Sequence, residues 1–220
     1  MFKKLLAAGA LAAALTGGAQ AATVSYFDSL GEADTDWSGT LSVAKFDTSL
    51  GDLTKVTFRY GGLLWSALEV ENRSTESSTE IDARMVGAIV FGLPIGEIVD
   101  LVLENAFSAS LESFDGSIDF AGPSGYAFAP RTVENSETKV FNSLLSLFQG
   151  PGTLDITADA SGTVVLTGGG NVLTGIETRA SAWLEVIYEY SDGNTVPEPA
   201  PLALLGAGLL GLGVARRQRS

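Results

Sequence analysis

The sequence predicts an all-β domain, an antiparallel sandwich or jelly-roll-like fold, with a short terminal segment of different character on each side. Apolar residues between positions 22 and 195 recur at a period of two more often than at 3.6, which is typical of strands with one buried face. The same region is rich in Ser, Thr and Gly, and Gly or Pro signals separate the apolar runs at short intervals. Many short strands separated by turns favour a sandwich over an α/β fold.

Residues 1–21 have the three parts of a secretory signal peptide. Lys3 and Lys4 precede a Leu/Ala run over 5–15, and small residues end the segment at Ala19 and Ala21. The pattern predicts passage through the Sec translocon and cleavage by signal peptidase between Ala21 and Ala22. An uncleaved anchor is the alternative, although the apolar run is short for a span of about 20 residues.

The middle region, residues 22–195, is predicted to be one extracellular β-rich domain. Three long runs alternate between apolar and polar residues, at 54–60, 100–111 and 183–190, and shorter strand candidates lie at 39–43, 66–71, 118–120 and 163–167. Turns are predicted at Gly61-Gly62, Asp115-Gly116, 122–125, 150–152 and 168–170.

Three segments of this region do not fit simple alternation. The apolar residues of 140–148 follow helical spacing and predict a short helix. Residues 84–99 form an apolar run interrupted by Gly and Pro, which fits either a bent strand pair or a helix. Residues 74–80 are polar and predict an exposed loop.

The last segment, residues 196–220, places a Pro-Glu-Pro triplet before an apolar stretch over 202–215 and a basic end. Fourteen residues make about 21 Å of helix, which is short against a hydrocarbon core of about 30 Å. The Arg cluster should stay on the cytoplasmic side, so the rest of the chain would lie outside. The residues of this pattern are Pro197, Glu198, Pro199, Arg216, Arg217 and Arg219. A plain C-terminal membrane anchor is the alternative.

This arrangement resembles the PEP-CTERM sorting signal that exosortases of Gram-negative, exopolysaccharide-producing bacteria recognise. The resemblance implies transient anchoring in the inner membrane, cleavage near the triplet, and release of the protein outward. Two prolines keep the backbone extended, in a form that a protease cleft accepts.

Composition excludes several classes of function. The chain has 220 residues with no His and no Cys, so His-dependent triads, Cys nucleophiles, disulfides and ordinary zinc sites are ruled out. Five of the 13 basic residues lie in the terminal segments, whereas all 26 acidic residues lie between Asp28 and Glu198. Removal of residues 1–21 and of the residues after Glu198 would leave 8 positive and 26 negative charges, a net charge of −18. Nucleic acid is therefore not an expected partner.

The middle region is also similar to a known family. Residues 37–56 resemble the opening of the choice-of-anchor E domain, and residues 114–125 and 178–190 look like its later segments. The resemblance implies an exported surface module of uncharacterised activity, and it brings no functional residues.

Aromatic residues are candidates for stacking against sugar rings, although core packing is the alternative for each of them. These candidates are Trp37, Trp65, Tyr126 and Trp183. Calcium needs only oxygen ligands, and the candidates for it are Asp34, Asp36, Asp115 and Asp119, which lack the EF-hand spacing. No other cofactor or metal is expected.

Catalytic alternatives have less support in the sequence. The 122–125 segment contains Ser124, but it is not a Gly-x-Ser-x-Gly elbow and a turn explains it. A glycoside hydrolase would need two convergent acids, for which Asp115 with Asp119 and Glu185 with Glu189 are candidate pairs. The sequence favours a non-catalytic surface or exopolysaccharide-matrix protein with a structural or adhesive role in a biofilm, with a carbohydrate-binding module for extracellular polysaccharide as the alternative.

Overall fold

The computed structural model describes residues 21–93, 96 and 98–191, and this part of the chain is an antiparallel β-sandwich. Its strands are β1 (Ala22–Asp34), β2 (Trp37–Ala44), β3 (Asp52–Asn72), β4 (Thr79–Gly92), β5 (Ile98–Leu111), β6 (Gly125–Ala127), β7 (Arg131–Phe141), β8 (Thr153–Thr167) and β9 (Val172–Ser191). The predicted all-β sandwich is confirmed.

The strands form two sheets between which the chain repeatedly crosses. Sheet one has the order β1-β9-β3, and the short β6 and the longer β7 both pair with the free side of β3. Sheet two has the order β2-β8-β4-β5. Every strand pair is antiparallel, and β3 and β9 pair along almost their whole length, so they form the centre of sheet one.

The core lies between the sheets because each strand turns alternate side chains inward. The main cluster contains the inward residues of both sheets, including the fully buried aromatic rings of Phe46, Phe58, Phe91, Phe148 and Tyr188. A smaller cluster fills the other half of the sandwich, with Leu68, Met85 and Phe107 among its members. The predicted alternation of 100–111 and 183–190 is confirmed by this burial.

The two ends of the sandwich differ in what they carry. Both ends of the described chain lie at one of them, since Ala22 pairs with Tyr190 and Asp52 pairs with Ser191. We call this the tail-proximal end, and it also carries the loops 45–51 and 142–152. The opposite end carries the loops 73–78, 112–124 and 168–171.

Side chains connect the two sheets at their edges. On one side, the side-chain amide of Asn135 in β7 donates to the Val102 carbonyl of β5 at 3.1 Å, and the Arg131 guanidinium donates to the Ala106 carbonyl. On the other side, the Ser42 amide of β2 donates to the Asp28 carboxylate of β1 at 2.7 Å. These bonds occupy backbone groups that an open edge strand would leave unpaired.

Two predictions about the irregular segments are confirmed. Residues 84–92 belong to β4 and residues 98 and 99 begin β5, so the strand-pair interpretation is correct for these residues and the helix is not. The loop predicted over 74–80 is present over 73–78, and β4 begins at Thr79. The turns at 122–125, 150–152 and 168–170 are also present.

The predicted helix over 140–148 is wrong. Val140 and Phe141 end β7, where they pair with Thr57 and Val56 of β3, and only 145–148 forms a 3-10 turn. The spacing arose because Phe141 and Phe148 both pack on Phe58, with ring centroids 5.2 and 5.6 Å away. Two separate elements therefore imitate one helical face.

Two shorter predictions are also wrong. Residues 118–120 are not a strand but part of a loop held by side-chain acceptors. Gly61 and Gly62 are not a turn; they lie inside β3. A Cβ on Gly61 would come within 2.5 Å of the Trp183 ring, so this glycine makes room for a side chain from the neighbouring strand.

Residues 1–20 and 192–220, which include Ala19 and the residues of the sorting pattern, lie outside the described residues. Within the described ranges, no helix is both long enough and apolar enough to cross a bilayer.

Candidate binding surface

The outer face of sheet one carries an aromatic patch formed by Phe27 and Trp183. The two rings stack with centroids 6.3 Å apart and planes inclined by 24°. Phe27 is 63 % exposed, and Trp183 is partly exposed. Trp183 lies across Gly61, to which it is paired in the β3–β9 register. A flat, partly open indole beside a second ring can stack on an apolar sugar face.

Ion pairs border this patch on the same face. Arg59 of β3 pairs with Glu185 of β9 at 3.1 Å, and Lys55 pairs with Glu189 at 2.5 Å. Both pairs are cross-strand neighbours, as the register places them directly opposite each other. The proposed catalytic pair of Glu185 and Glu189 is therefore engaged in two separate ion pairs.

Trp65 lies on the same outer face, but its environment differs. The Arg179 guanidinium sits 5.1 Å from the centroid of its ring. Arg179 also contacts Glu177, Asp34 at 3.2 Å and Glu32 at 3.9 Å. The negative charge of Glu177 is the largest cause that raises the pKa of Arg179 above its ordinary value, and Asp34 adds to it. The Trp65 face is thus covered by a cation that acids hold in place.

The other two aromatic candidates lie away from the patch. The Trp37 indole donates to the Ala180 carbonyl at 3.1 Å, and Trp37 lines a shallow depression of about 230 Å³ with Asp36 and Asp159. Tyr126 is 50 % exposed and meets Phe128 edge-on, with centroids 4.7 Å apart. The structure therefore does not bring the four predicted aromatic residues together.

The calcium candidates have partners within the protein. Asp34 pairs with Arg179, and Asp36 accepts from the Gly162 amide at 2.9 Å. Asp115 accepts from the Ser117 amide at 2.9 Å, and Asp119 from the Ala121 amide at 3.1 Å. In the ranges that the structure describes, no three acidic side chains converge as metal ligands.

A buried polar network, which the sequence did not indicate, lies at the end of β3. Glu71 is fully buried and accepts from the Ser124 hydroxyl at 2.6 Å and from the Phe120 amide at 2.8 Å. Its neighbour Asn72 donates to the carbonyls of Ser77 and Glu112. Ser124 is buried as well, so its hydroxyl holds a loop and is not exposed as a nucleophile.

A larger depression of about 430 Å³ lies over the β4–β5 pair. Its walls include Arg84 and Arg131, but both side chains already interact with other residues of the protein. Arg84 forms a bidentate pair with Glu104, at 2.7 and 2.5 Å, and this hydrogen bond lowers the pKa of the Glu104 carboxyl. Arg131 lies over the Phe107 ring, 4.8 Å from its centroid.

Comparison with known proteins identifies one segment of the chain. Residues 195–219 match the model of the PEP-CTERM protein-sorting motif. This match includes Pro197, Glu198 and Pro199 and extends through Arg219. It indicates an exosortase-sorted extracellular protein, exported and held at the membrane on its way to the cell surface.

The remaining comparisons add no functional information. No curated protein matches the chain. Ten chains of known structure match, and structures of the Gx and Gt strains of infectious bursal disease virus are among them. The Gx strain structure is 10% identical, covering 90% of this chain and 49% of that chain with a TM-score of 0.21. The Gt strain structure is 14% identical, covering 91% and 48% with a TM-score of 0.13. This chain spans about half the length of those chains, and such low TM-scores support no inference.

Proposed function

We propose that the protein is a non-catalytic module of the cell surface or exopolysaccharide matrix, with a structural or adhesive role in a biofilm. The observation that carries the proposal is the sorting motif at 195–219, attached to an acidic β-sandwich. The candidate catalytic pairs of the sequence also support it. Each of these four acids, Asp115, Asp119, Glu185 and Glu189, has an ion-pair or hydrogen-bond partner within the described fold. A place in the choice-of-anchor E family belongs to the same proposal.

The route outward is also part of the proposal. The Sec translocon exports the chain, signal peptidase cuts after Ala21, and the C-terminal segment holds the protein in the inner membrane until an exosortase cuts near Pro197–Pro199. Strand β1 begins at Ala22 and pairs there with Tyr190, so a chain that starts at this residue keeps the whole strand.

The test is intact mass and cell fractionation in a host with its exosortase and in the same host without it. We expect a C-terminus truncated near Pro197–Pro199 and release from the inner membrane only when the exosortase is present. A Glu198→Ala variant should behave in the first host as the unaltered chain does in the second. A full-length chain that stays in the inner membrane of both hosts would make the segment a simple anchor.

A second candidate function, binding of extracellular polysaccharide, is favoured by the Phe27–Trp183 patch. The stacked rings lie on the face where the neighbouring charges are paired, so a neutral sugar could approach without displacing an unpaired charge. Sugar stacking on an aromatic ring needs such an open, flat surface.

The test of this candidate is saturable binding of neutral and acidic polysaccharides to Trp183→Ala, with Tyr126→Ala as the matched control. Tyr126 is an exposed aromatic residue away from the patch, at the β6 end of β3. Loss of binding in Trp183→Ala alone would support a glycan site at the patch. Equal binding by both variants and the unaltered protein would exclude it.

A further inference from the structure

Three exposed leucines lie at the tail-proximal end of the sandwich. Leu50 is 39% exposed, Leu144 62% and Leu147 43%. They come from the two loops, 45–51 and 142–152, that meet at this end through the bridge between Phe46 and Gln149. We call these three residues the leucine tip.

The leucine tip is held by buried neighbours. Phe148, the residue after Leu147, is fully buried against Phe58 and Phe141. The Phe46 amide donates to the Phe148 carbonyl at 2.9 Å, and the Gly150 amide donates back to the Phe46 carbonyl at 3.0 Å. Phe148 therefore fixes this turn to the core, while Leu144 and Leu147 stay exposed.

The segment that supplies two of these leucines carries no charge. From Val140 to Leu154 the sequence contains no Asp, Glu, Lys or Arg, although the chain as a whole carries a net charge of −13. Side chains that are apolar and free of nearby charge on their own segment can enter the boundary between lipid headgroups and acyl chains.

The point at which the described domain ends indicates which end of the sandwich faces the membrane. The last described residue, Ser191, pairs with Asp52 at this same end of the sandwich. Ten residues, 192–201, separate it from the apolar stretch that begins at Leu202. Even fully extended they span at most about 35 Å. A tail inserted in the membrane therefore keeps the tail-proximal end, which carries the leucine tip, within about that distance of the bilayer.

We propose that the leucine tip enters the outer leaflet of the membrane that holds the tail, so that the anchored domain stands on the bilayer with its tail-proximal end down. This inference depends on the anchoring step of the proposed function. It adds a second, reversible contact with the membrane. The leucines that make this contact lie outside the sorting signal, so the domain keeps them after the tail is cut.

The test uses residues 22–220, the chain that remains after signal peptidase has cut, in phosphatidylcholine vesicles, with one cysteine introduced for an environment-sensitive fluorophore. The chain contains no cysteine, so Leu147→Cys is labelled at one site only. The matched control is Leu173→Cys, 36% exposed, in an equally uncharged segment near the opposite end, where it pairs with Glu71. We expect a blue-shifted emission that nitroxide lipids quench at position 147, and a water-like, unquenched emission at 173.

Flotation with the vesicles distinguishes failure of the leucine-tip contact from failure of the anchoring step. A chain that floats with an unquenched label at 147 overturns the leucine-tip contact and leaves the anchoring step intact. A chain that does not float overturns the anchoring step and this inference with it. A blue shift that lipid nitroxides do not quench would show contact between copies and also overturn it. As a further check, Leu144→Ser with Leu147→Ser should abolish the quenching of a label at Leu50→Cys while flotation persists.

Discussion

Glu71 shows how one buried carboxylate can organise a long loop. Its two oxygens accept from Ser124 and from the Phe120 amide, so the chain between β5 and β6 is held against the end of β3. No aspect of the local sequence marks this residue, because its partners are 49 and 53 positions away. Burial without such partners would be costly for a carboxylate.

Replacement of Glu71 by Gln should destabilise the protein by about 1–3 kcal/mol, because the amide cannot accept at both positions and leaves a buried donor unpaired. The measurement is the urea midpoint of unfolding. Glu69→Gln is the control on the same strand, since Glu69 is exposed, and it should change stability by less than about 0.5 kcal/mol. Equal effects of the two substitutions would contradict the role given to Glu71.

Tyr188 predicts how stability depends on alkaline pH. Burial, with Tyr26 as a smaller cause, raises the pKa of its phenol, which donates to the Ala44 carbonyl at 3.0 Å. The folded state therefore keeps a proton that the unfolded state loses near pH 10. The stabilisation that comes from the protonated phenol is complete below that pH and decreases as the pH rises above it.

We expect Tyr188→Phe to lower the urea midpoint at pH 8, by the loss of one hydrogen bond worth about 0.5–1.5 kcal/mol. The same substitution should make the fall in stability between pH 8 and pH 11 smaller than in the unaltered protein. Tyr126→Phe serves as the control, because its ring is half exposed and lies outside the core. An unchanged alkaline slope in Tyr188→Phe would show that another group causes the decline.

At the scale of elements, the sandwich depends on side chains that close its open edges. Arg131 and Asn135 of β7 reach carbonyls of β5 that point away from β4, and Asn105 of β5 reaches back to the Arg131 carbonyl at 3.2 Å. Without these bonds, β5 would present free carbonyls to another chain. The edge of sheet two is thus protected without a further strand.

The double substitution Arg131→Ala with Asn135→Ala should increase self-association of the protein, because it frees the carbonyls of Val102 and Ala106. Sedimentation and light scattering over a concentration series measure this effect. Ser136→Ala with Thr138→Ala is the control on the same strand, since both side chains are exposed on the outer face. Aggregation of both double variants to the same extent would argue against edge protection.

The sequence predicted strands correctly where the alternation within one strand determines which residues are buried. It failed where a residue is explained by its neighbour on a strand distant in sequence. The alternation over 183–190 predicted the last part of β9 correctly, because every second residue there faces the same core. Gly61 and Gly62 were mistaken for a turn because the reason for them lies elsewhere: the Trp183 ring occupies the space beside one and the Ser181 carbonyl the space beside the other. The aromatic patch depends on the same register, which pairs Trp183 with Gly61, and no local pattern contains it.

At the scale of the whole molecule, the two outer faces of the sandwich have opposite character. The outer face of sheet one carries the aromatic patch and paired charges. In the described strands of sheet two, Arg84 is the only basic residue on the outer face. Six exposed acids share this face, namely Glu80, Asp82, Asp100, Glu104, Asp155 and Asp159. Like charges on one face repel each other, and this repulsion extends farther when salt is scarce.

The acidic face predicts a stability that depends on salt. Asp159 and Asp100 both pair with Val90, one on each side, so the two acids lie in one row about 10 Å apart. Two unit charges at that distance in water repel by about 0.4 kcal/mol.

At 20 mM NaCl, the double substitution Asp100→Asn with Asp159→Asn should therefore raise the urea midpoint of unfolding. The gain should exceed the repulsion between these two acids, because the substitutions also remove the repulsion of each acid from the other acids of the face. At 500 mM NaCl the difference from the unaltered protein should nearly vanish, since the Debye length is then about 4 Å. A gain of the same size at both salt concentrations would mean that the two substitutions act through packing or strand propensity rather than through charge.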